Sequence, residues 1–584
     1  MTMSMLLDYS VIFEGEQPLP MHEYLNGINR ARLKMITSHF LGIDFQTSDL
    51  NDWRELLKMW FRHENYEFAN KVWERCELLE KKYGSVTFLS IPAFLKFFEF
   101  VKTFTESHEE VDDVLSEKNL FIVYLLFLSA ITDKERKSEK HIEGLHENRK
   151  LCALILNQQF PYGEYSNFQL GDVLKTQIIK ACYLFVFLEN KNEASFLLNT
   201  FCTFYRLNKW QEFFQFIIPI IQAHALHPKK GGWTHLNVIR NEKFEKNCFF
   251  LESLAQEVDI ESDFKSIRTN PLYKVNEGVY GIIFPLFVVE KIFKGSYFRL
   301  KELNDLAPLN DPSIVKISNW KKFYTTNFSE STLLYSVLEH IYGRRSYIQY
   351  TGDFLKDIDK NGPPDYYIRN GNDLYLFENK DVYINADLRQ SFDFEKLEQA
   401  FKEKLYFNTE LKENGSLKIK PKAVMQLGRN VKKALVKGNK FDTNYNQNKL
   451  RIYPILILHD SSFECPGLNS LVNFWFDIEM KKLQEEGVII NGVRKITIIN
   501  IDTLILYADF LREKKQTLNS LIDEYVKHGI FKLKNRPMTK QQFEETYATT
   551  YDPFSIFIDK FTNVGHQHVR GLLADTVMKT IFKN

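Results

Sequence analysis

The spacing of apolar residues along the chain changes after about 260 residues. Up to that point, apolar side chains recur every three or four positions in one segment after another, which is the period of an amphipathic helix. The joints between these segments are short and polar, as at Asn190–Asn192. This pattern predicts an N-terminal α-helical bundle or solenoid-like domain over residues 1–262, without a fixed-period repeat. The clearest helical segments are Tyr66–Leu79, Val173–Leu188, Ala194–Tyr205 and Trp210–Ala225.

Between residues 263 and 515, apolar runs of strand length alternate with helical patterns. This alternation favours an α/β sandwich as the second domain, with its core at about 330–505. Residues 516–584 return to helix and loop, and we expect a helical extension packed on that domain. Strands are predicted at Val279–Val289, Tyr297–Leu300, Tyr347–Tyr350, Asp365–Arg369, Leu374–Lys380, Ile452–Leu458 and Ile496–Ile501, and helices at Glu330–Tyr342, Phe394–Phe407 and Ala423–Val436.

Composition and charge exclude some classes of protein. Of the 584 residues, 44% are hydrophobic and 26% are charged, which is typical of a folded globular chain and excludes wholesale disorder. Seventy-six basic residues stand against 75 acidic ones, a formal net charge of +1. A protein that coats nucleic acid with a globally basic surface is therefore excluded, and any nucleic-acid contact has to come from a local patch.

The cysteines and the apolar runs bear on location. The six cysteines lie far apart without a CxxC pair, which argues against a zinc knuckle or a disulfide framework and for a reducing compartment. The N-terminus has no basic segment typical of a signal peptide. The longest apolar runs, Leu120–Ile131 and Val279–Val289, are shorter than the roughly 20 residues of a spanning helix. We therefore predict a cytoplasmic protein without membrane contact, in which both runs are buried.

One predicted hairpin gathers three ionisable side chains. Asn370-Gly371 is a strong turn signal between two apolar runs. Side chains alternate between the two faces of a strand, so that Asp365, Glu378 and Lys380 emerge on the same face. The opposite face is the natural core side and carries Tyr366, Ile368, Tyr375 and Phe377.

Two registers of this hairpin are open from the sequence. A two-residue loop would pair Arg369 with Asn372 and place Asp365 opposite Leu376. A four-residue loop would place Asp365 directly opposite Glu378. Both registers keep the two carboxylates on one face, so the chemistry does not depend on the choice.

Two carboxylates and one ammonium suit the hydrolysis of a phosphodiester. Mg²⁺ prefers oxygen ligands and is typically held by one or two carboxylates, which Asp365 and Glu378 can supply. A bound metal polarises a phosphoryl oxygen and lowers the pKa of a bound water. Lys380 can orient the attacking water and offset charge on the phosphate in the transition state.

The motif that these residues form resembles that of a known superfamily. Pro364-Asp365, then twelve residues, then Glu378-Asn379-Lys380 is similar to the PD-(D/E)xK nucleases, which have the restriction-endonuclease-like fold. The resemblance implies that Asp365 and Glu378 bind Mg²⁺ or Mn²⁺, that Asn379 contributes its backbone carbonyl to the metal, and that Lys380 assists catalysis. It covers at most about 250 residues and does not reach the helical N-terminal half.

The same resemblance implies two further residues. Many members carry a glutamate on the helix before the hairpin, a place that Glu339 fits. Many also carry a glutamine on the helix after the core strands, a place that Gln426 fits. The chain departs from the family pattern in the long segment Phe392–Lys422, which separates the hairpin from the helix of Gln426.

A basic stretch lies close to this motif in the chain. Residues 418–440 hold eight lysine and arginine side chains and no acidic one. An anionic backbone needs counter-charge near an acidic active site, and this stretch is the dense source of it. We predict DNA contacts from Arg429, Lys432 and Lys433, extended by Lys404.

The sequence thus predicts a Mg²⁺-dependent DNA endonuclease, as an effector of a bacterial anti-phage defence or restriction system. The helical half would sense a trigger, form a homodimer or dock a partner protein. Two alternatives stay open. One is an interaction protein whose nuclease fold is an inactive scaffold, and the other is a nuclease that acts on RNA or branched DNA.

Overall fold

The computed structural model describes residues 5–43, 49–104, 113–139, 142, 147–166, 168–225, 235–257, 259, 262–411, 415–513, 517–529, 550–562 and 570–581. It is rich in helix and contains several small sheets, a mixed class of roughly α+β type, in agreement with the predicted mixture of helix and sheet. The chain forms two compact units, each built from two separate stretches. The first comprises 1–137 and 199–300, and the second 138–198 and 301–584.

The strands are short outside the second unit. In chain order they are β1 Met5–Leu6, β2 Val86–Thr87, β3 His235–Asn237, β4 Leu272–Asn276, β5 Val279–Ile282, β6 Ile348–Thr351, β7 Tyr366–Asn370, β8 Asp373–Lys380, β9 Phe407–Leu411, β10 Leu417–Pro421, β11 Arg451–Leu458 and β12 Thr497–Asn500.

The helices occupy most of the remaining described chain. The α-helices of the first 310 residues are Tyr9–Ile12, Met21–Leu25, Arg30–Leu41, Trp53–Trp60, Tyr66–Tyr83, Ile91–Thr103, Asp113–Glu139, Glu147–Gln159, Gly163–Ser166, Leu170–Glu189, Ser195–Phe204, Gln211–Ala225, Phe244–Glu252, Lys265–Thr269, Pro285–Glu290 and Ser296–Asn310. Those that follow are Trp320–Phe323, Tyr335–Tyr342, Gly352–Ile358, Ala386–Arg389, Phe394–Phe401, Ala423–Leu435, Leu468–Glu485, Ile501–Leu506, Ala508–Arg512, Leu518–His528, Phe554–Thr562 and Arg570–Thr580. Three π-helical segments cover Lys291–Gly295, Tyr324–Leu334 and Lys402–Tyr406.

Two predicted strands are wrong in whole or in part. The apolar run that begins at Val279 ends as a strand at Ile282, and Pro285–Glu290 is a helix with proline in its first position, where the fixed φ of proline suits a helix start. Tyr297–Leu300 lies inside the helix Ser296–Asn310. Tyr297 and Leu300 are both buried, as residues three apart on one helix face can be. A short apolar run does not distinguish the two structures.

One helix in the described part of the chain is long and apolar enough to cross a membrane. It covers Val114–Lys137, and 56% of its most apolar window is buried inside the protein. Its aromatic side chains pack within the first unit, where the ring of Phe121 lies 5.3 Å from that of Trp60 and the ring of Phe127 lies 5.4 Å from that of Phe97. A core helix passes the same test of length and composition.

A five-stranded sheet forms the centre of the second unit. Its strand order is β12-β11-β8-β7-β6. The strands β6, β7 and β8 form an antiparallel meander, and β11 and β12 run parallel to β8 and to each other. The carboxyl ends of β8, β11 and β12 therefore lie at the same edge of the sheet.

Both faces of this sheet are covered. On one face, Leu374, Leu376 and Leu456 join a buried apolar core with residues of the helices Ala423–Leu435 and Leu468–Glu485. On the other face, Tyr366 lies against Tyr335 with ring centroids 5.5 Å apart, and Tyr375 lies against Tyr342 at 6.3 Å. The predicted core side of the hairpin is buried, and so is the side that carries the carboxylates.

The register of the hairpin combines features of both predicted alternatives. Asn370 pairs with Asp373, so that the turn has two residues, and Gly371 supplies the positive φ of 58° that the turn requires. The ladder ends where Tyr366 pairs with Phe377. If the same register is continued by one residue beyond this pair, Asp365 lies opposite Glu378. This is the pairing that the four-residue loop predicts.

The two units divide the chain differently from the predicted boundaries at 262 and 515. Residues 138–198 belong with the five-stranded sheet because Cys152, Leu156 and Phe160 are part of its apolar core. The hairpin of β4 and β5 belongs to the first unit, where the hydroxyl groups of Tyr273 and Ser38 are hydrogen-bonded at 3.1 Å. The described residues after 516 pack within the second unit, as the 2.7 Å ion pair of Arg494 and Asp523 illustrates. Long-range packing of this kind leaves no mark in local composition.

Candidate active site

The two carboxylates of the motif are tied together through the backbone of the hairpin. Asp365 lies one residue before β7, and its main-chain N–H donates to the carbonyl of Phe377 at 3.0 Å. The main-chain N–H of Asn379 donates to Oδ2 of Asp365 at 2.7 Å. Glu378 and Lys380 are among the last three residues of β8 and project to the same face as Asp365. The hairpin therefore brings the motif together as the sequence predicts.

Glu378 and Lys380 form a buried ion pair. Nζ of Lys380 lies 2.6 Å from Oε1 of Glu378, whose side chain is fully buried. The second oxygen, Oε2, is also buried and has no hydrogen-bond partner within the described part of the chain. Burial raises the pKa of Glu378 to about 8, the charge of Asp365 adds to this, and Lys380 works against it. Although burial alone would lower it, the pKa of Lys380 is raised because Glu378 and Asp365 surround it.

A third carboxylate, Glu330, comes from the π-helical segment Tyr324–Leu334. Its Oε1 accepts hydrogen bonds from Nζ of Lys356 at 2.9 Å and from the hydroxyl of Tyr335 at 3.3 Å. Burial raises the pKa of Glu330, and the charge of Asp365 raises it further. The charge of Glu330 in turn contributes to the raised pKa of Glu378. The sequence analysis missed Glu330, although π-helical turns are frequent at functional sites.

Glu339, the glutamate that the resemblance selects, lies elsewhere. It is exposed on the helix Tyr335–Tyr342. Burial raises the pKa of Tyr366, and the charge of Glu339 adds to that shift. Tyr366 projects to the face of the sheet opposite Asp365, since neighbouring residues of a strand alternate. The structure therefore does not bring Glu339 together with the carboxylates of the hairpin, whereas it does bring Glu330.

Gln426 lies in the first turn of the helix Ala423–Leu435, which packs against β8. It is half-buried. Four residues later on the same helix face, Asn430 is buried, and neither polar atom of its side chain has a hydrogen-bond partner among the described residues. The resemblance selects Gln426, whereas no pattern in the sequence distinguishes Asn430.

The predicted nucleic-acid contacts separate into different environments. Nζ of Lys433 lies 2.7 Å from Oδ2 of the largely buried Asp359, so its charge is balanced, whereas Lys432 forms a half-exposed and therefore weak ion pair of 2.5 Å with Glu486. Arg429 is exposed. Burial lowers the pKa of Lys422, and the charges of Lys420, Lys380 and Lys404 lower it further. Lys404 and Lys380, the lysine of the motif, therefore both lie within electrostatic range of Lys422.

His459 is a further residue that the sequence analysis missed. It directly follows β11, and its Nε2 lies 2.7 Å from the side-chain oxygen of Asn379, a geometry in which the ring nitrogen donates. Burial lowers the pKa of His459, which favours the neutral ring. Because the N–H of Asn379 binds Asp365, His459 helps to fix the backbone between the two carboxylates. No spacing in the sequence connects residues 379 and 459.

The resemblance implies a divalent metal, and the donor set can be compared with that expectation. Within the described part of the chain, no group of three or more His, Cys, Asp or Glu side chains is arranged to hold a metal ion. Mg²⁺ needs fewer protein ligands than such a group provides, since it is usually held by one or two carboxylates together with several waters. The unpaired, buried Oε2 of Glu378 beside Asp365 is the kind of oxygen that such an ion satisfies. These two carboxylates therefore fit a Mg²⁺ ion, and the backbone carbonyl of Asn379 as a further ligand stays a prediction of the resemblance.

We compared the chain with protein-family models, with curated proteins and with solved structures, and none of the three comparisons found a match. Any assignment of function therefore depends on the geometry of the hairpin site and on the motif that it carries.

Proposed function

We propose that the protein is a Mg²⁺-dependent DNA endonuclease of the PD-(D/E)xK type. The observation that carries the proposal is the buried Oε2 of Glu378, which has no hydrogen-bond partner among the described residues and lies next to Asp365 and Lys380 at the carboxyl end of β8. A buried carboxylate oxygen without a partner is costly unless a ligand satisfies it. The helix before the meander β6–β8 and the helix Ala423–Leu435 after it agree with the arrangement that the resemblance implies.

The roles of the residues follow from their chemistry. Asp365, Glu378 and the backbone carbonyl of Asn379 would hold Mg²⁺ or Mn²⁺, which supplies a Lewis acid for the phosphoryl oxygen and a more acidic bound water. Lys380 keeps its proton, because Glu378 and Asp365 raise its pKa, and so offers a fixed positive charge to the phosphate. Glu330 orients Lys356 and adds negative charge to the cation site.

DNA as the substrate is supported by the positive charge around the site. Lys420, Lys404 and the Lys380 of the motif all act electrostatically on Lys422. A cluster of lysine side chains of this kind favours the binding of a polyanion such as DNA, because contacts with phosphates supply most of the affinity in nucleic-acid binding. We extend the proposal to the biological setting of the sequence analysis, an effector of bacterial anti-phage defence or restriction, which rests on the resemblance alone.

Plasmid cleavage tests this function directly. Supercoiled plasmid is incubated with Mg²⁺ or Mn²⁺ and either the wild type, Asp365→Asn or Lys380→Ala. We expect nicking or linearisation by the wild type and its loss in both variants. Asp357→Asn is the matched control, because Asp357 is an exposed aspartate on the nearby helix Gly352–Ile358 and should leave cleavage unchanged. Full cleavage by Asp365→Asn would contradict the proposal.

A thermal shift with metal separates an enzyme from a scaffold. A bound ion stabilises the folded state by mass action, so an intact site should gain melting temperature with Mn²⁺. Asp365→Asn should abolish the gain and Asp357→Asn should keep it. Absence of both cleavage and the shift in the wild type would favour the interaction protein.

A further inference from the structure

An antiparallel hairpin of β9 and β10 directly precedes the helix Ala423–Leu435 that packs on β8. The two strands pair in one continuous register, from Leu417 opposite Leu411 to Pro421 opposite Phe407. The main-chain N–H of Lys422 donates to the carbonyl of Tyr406 at 2.9 Å and closes the base of the hairpin. The base thereby continues into the helix that packs against β8, the strand of Glu378 and Lys380.

The two faces of this hairpin differ in character. Lys418 and Lys420 alternate with apolar residues, and Lys422 follows in the same phase, so that the three lysines share one side; we call these three residues the lysine face. The opposite side carries Leu411, Leu417 and Ile419, whose exposed fractions are 74%, 69% and 56%. A chain that only needed to bury this hairpin would not leave both sides open to solvent.

The lysine face has a surplus of positive charge. Lys420 forms a 2.8 Å ion pair with Glu410 across the ladder, and both side chains are about half exposed, so the pair is weak. Neither Lys418 nor Lys422 forms an ion pair with a carboxylate among the described residues. Lys422 lies close enough to Lys380 for the two charges to repel each other. The row of ammonium groups therefore ends within electrostatic range of the lysine of the motif.

We propose that the lysine face binds the phosphate backbone of the DNA that occupies the candidate active site. The nature of this partner rests on the proposed function, and the placement rests on the hairpin itself. Successive lysines on one face of a strand stand about 7 Å apart. That spacing corresponds to roughly two phosphate-to-phosphate intervals of one DNA strand, measured along the helix axis. The hairpin thus acts as an arm that guides the backbone towards Lys380.

This arm differs from the contacts that the sequence favours. Lys433 is in the same basic stretch, but its charge is taken up by the largely buried Asp359, and Lys432 forms a half-exposed pair with Glu486 of the same kind as that of Lys420 with Glu410. The lysine face combines an unbalanced charge, exposure and continuity with the site. The inference therefore moves the main DNA contact from the end of the helix Ala423–Leu435 to the hairpin before it.

Salt-dependent DNA binding tests the arm. The affinity for a fluorescently labelled 20-base-pair duplex is measured by anisotropy in EDTA, at several salt concentrations, for the wild type and for Lys418→Ala/Lys420→Ala. Each lost phosphate contact lowers the slope of log K against log salt by about 0.9, so we expect a reduction of about 1.8 and a loss of roughly 60-fold in affinity at 0.1 M salt. Lys482→Ala/Lys495→Ala removes the same charge from exposed lysines paired with Glu479 and Asp477 and should keep the wild-type slope.

The outcomes separate this inference from the proposed function. Equal slopes for the wild type and the Lys418/Lys420 variant would overturn the arm, as would a wild type that does not bind duplex DNA or binds only RNA. Hydrolysis of bis(p-nitrophenyl) phosphate by the wild type tests the chemistry independently, because this small diester needs no extended backbone contact. A reduced slope in a protein that fails to hydrolyse the diester would support the arm and contradict the nuclease.

Discussion

Lys380 and Glu378, two residues apart on β8, hold each other in a 2.6 Å ion pair that engages only one oxygen of the carboxylate. The other oxygen is buried and unpaired within the described part of the chain, and it is the position that a cation would satisfy. A positive charge on one side and, among the described residues, an unsatisfied acceptor on the other make Glu378 the residue on which the proposed metal binding depends most.

Glu378→Gln should therefore remove metal binding together with activity. Partners that only support a metal ligand contribute about 10–100-fold, so the loss of a ligand should lower diester hydrolysis by at least about 100-fold. The melting temperature is measured with and without Mn²⁺ beside the hydrolysis rate. The exposed Glu485→Gln serves as the control and should match the wild type in both assays. A full Mn²⁺ shift in Glu378→Gln would contradict the assignment.

A second prediction concerns which glutamate supports the site. Glu330 influences Glu378 and Lys380 electrostatically, whereas Glu339 is exposed and acts on Tyr366, which projects to the opposite face of the sheet. We expect Glu330→Gln to lower kcat by about 10-fold or more, as partners near a metal ligand do, and Glu339→Gln to have a much smaller effect. Steady-state hydrolysis of the two variants decides between them. A larger loss of kcat in Glu339→Gln than in Glu330→Gln would contradict this prediction and favour Glu339, the glutamate that the resemblance selects.

The different outcomes for these residues show what the sequence can predict about the site. Asp365, Glu378 and Lys380 are placed by the alternation of strands and by one turn, which are local rules. Glu330 reaches the site through the packing of a π-helical segment. His459 follows a parallel strand about eighty residues further along the chain and supports the site through the side chain of Asn379, which projects to the face of β8 opposite Glu378 and Lys380. No short-range pattern encodes such contacts, so the motif is predictable and its surroundings are not.

The same distinction between local pattern and long-range packing separates the parts of the fold that the sequence predicts from those that it does not. The helix Ala423–Leu435 and the strand Arg451–Leu458 are long, strongly patterned segments and lie within one residue of their predicted bounds. The predicted strand Tyr297–Leu300 is too short for its period to distinguish a strand from a helix turn. The place of residues 138–198 beside the sheet depends on apolar contacts such as that of Cys152 with the core of the second unit. Tertiary packing decides these points.

A third prediction tests His459 as a positioning residue. Its hydrogen bond to Asn379 should hold the backbone amide that binds Asp365. We expect His459→Ala to lower kcat by about 10-fold, with KM for the small diester unchanged, because the loss affects the geometry of the site. Asn379→Ala and the double variant complete a cycle. Since both single changes break the same bond, the double variant should lose hardly more than either, whereas additive losses would show that the bond does not matter.

A fourth prediction concerns the stability of β7. Asp442 accepts hydrogen bonds from the hydroxyl of Tyr367 at 2.7 Å and from the guanidinium of Arg369, and all three side chains are buried. Asp442→Ala leaves a buried charge unpaired, which typically costs about 3–5 kcal/mol. The control is Asp305→Ala, which breaks an exposed pair with Lys301 and should cost less than about 1 kcal/mol. Urea unfolding measures both, and equal losses would contradict the prediction.

The pH dependence of stability offers a test of a buried carboxyl that is not part of the candidate active site. Burial raises the pKa of Glu464 to about 7, the charge of Asp502 adds to this, and the hydroxyls of Ser555 and Thr503 as well as the charge of Lys180 work against it. The ordinary value is 4.5, so between about pH 4.5 and 7 the folded protein holds a proton that the unfolded chain has lost. The contribution of Glu464 to stability is therefore most favourable below that window and falls as the pH rises through it.

Glu464→Gln removes this titration and keeps the shape of the side chain. We expect the melting temperature of the variant relative to the wild type to be higher at pH 8 than at pH 5, because only the wild type must bury the charge at pH 8. The raised pKa values of the other buried carboxyls affect both proteins alike, so the difference isolates Glu464. The exposed Glu485→Gln should show no such change between the two pH values. If the difference in melting temperature between Glu464→Gln and the wild type were the same at pH 5 and pH 8, Glu464 would titrate near its ordinary pKa.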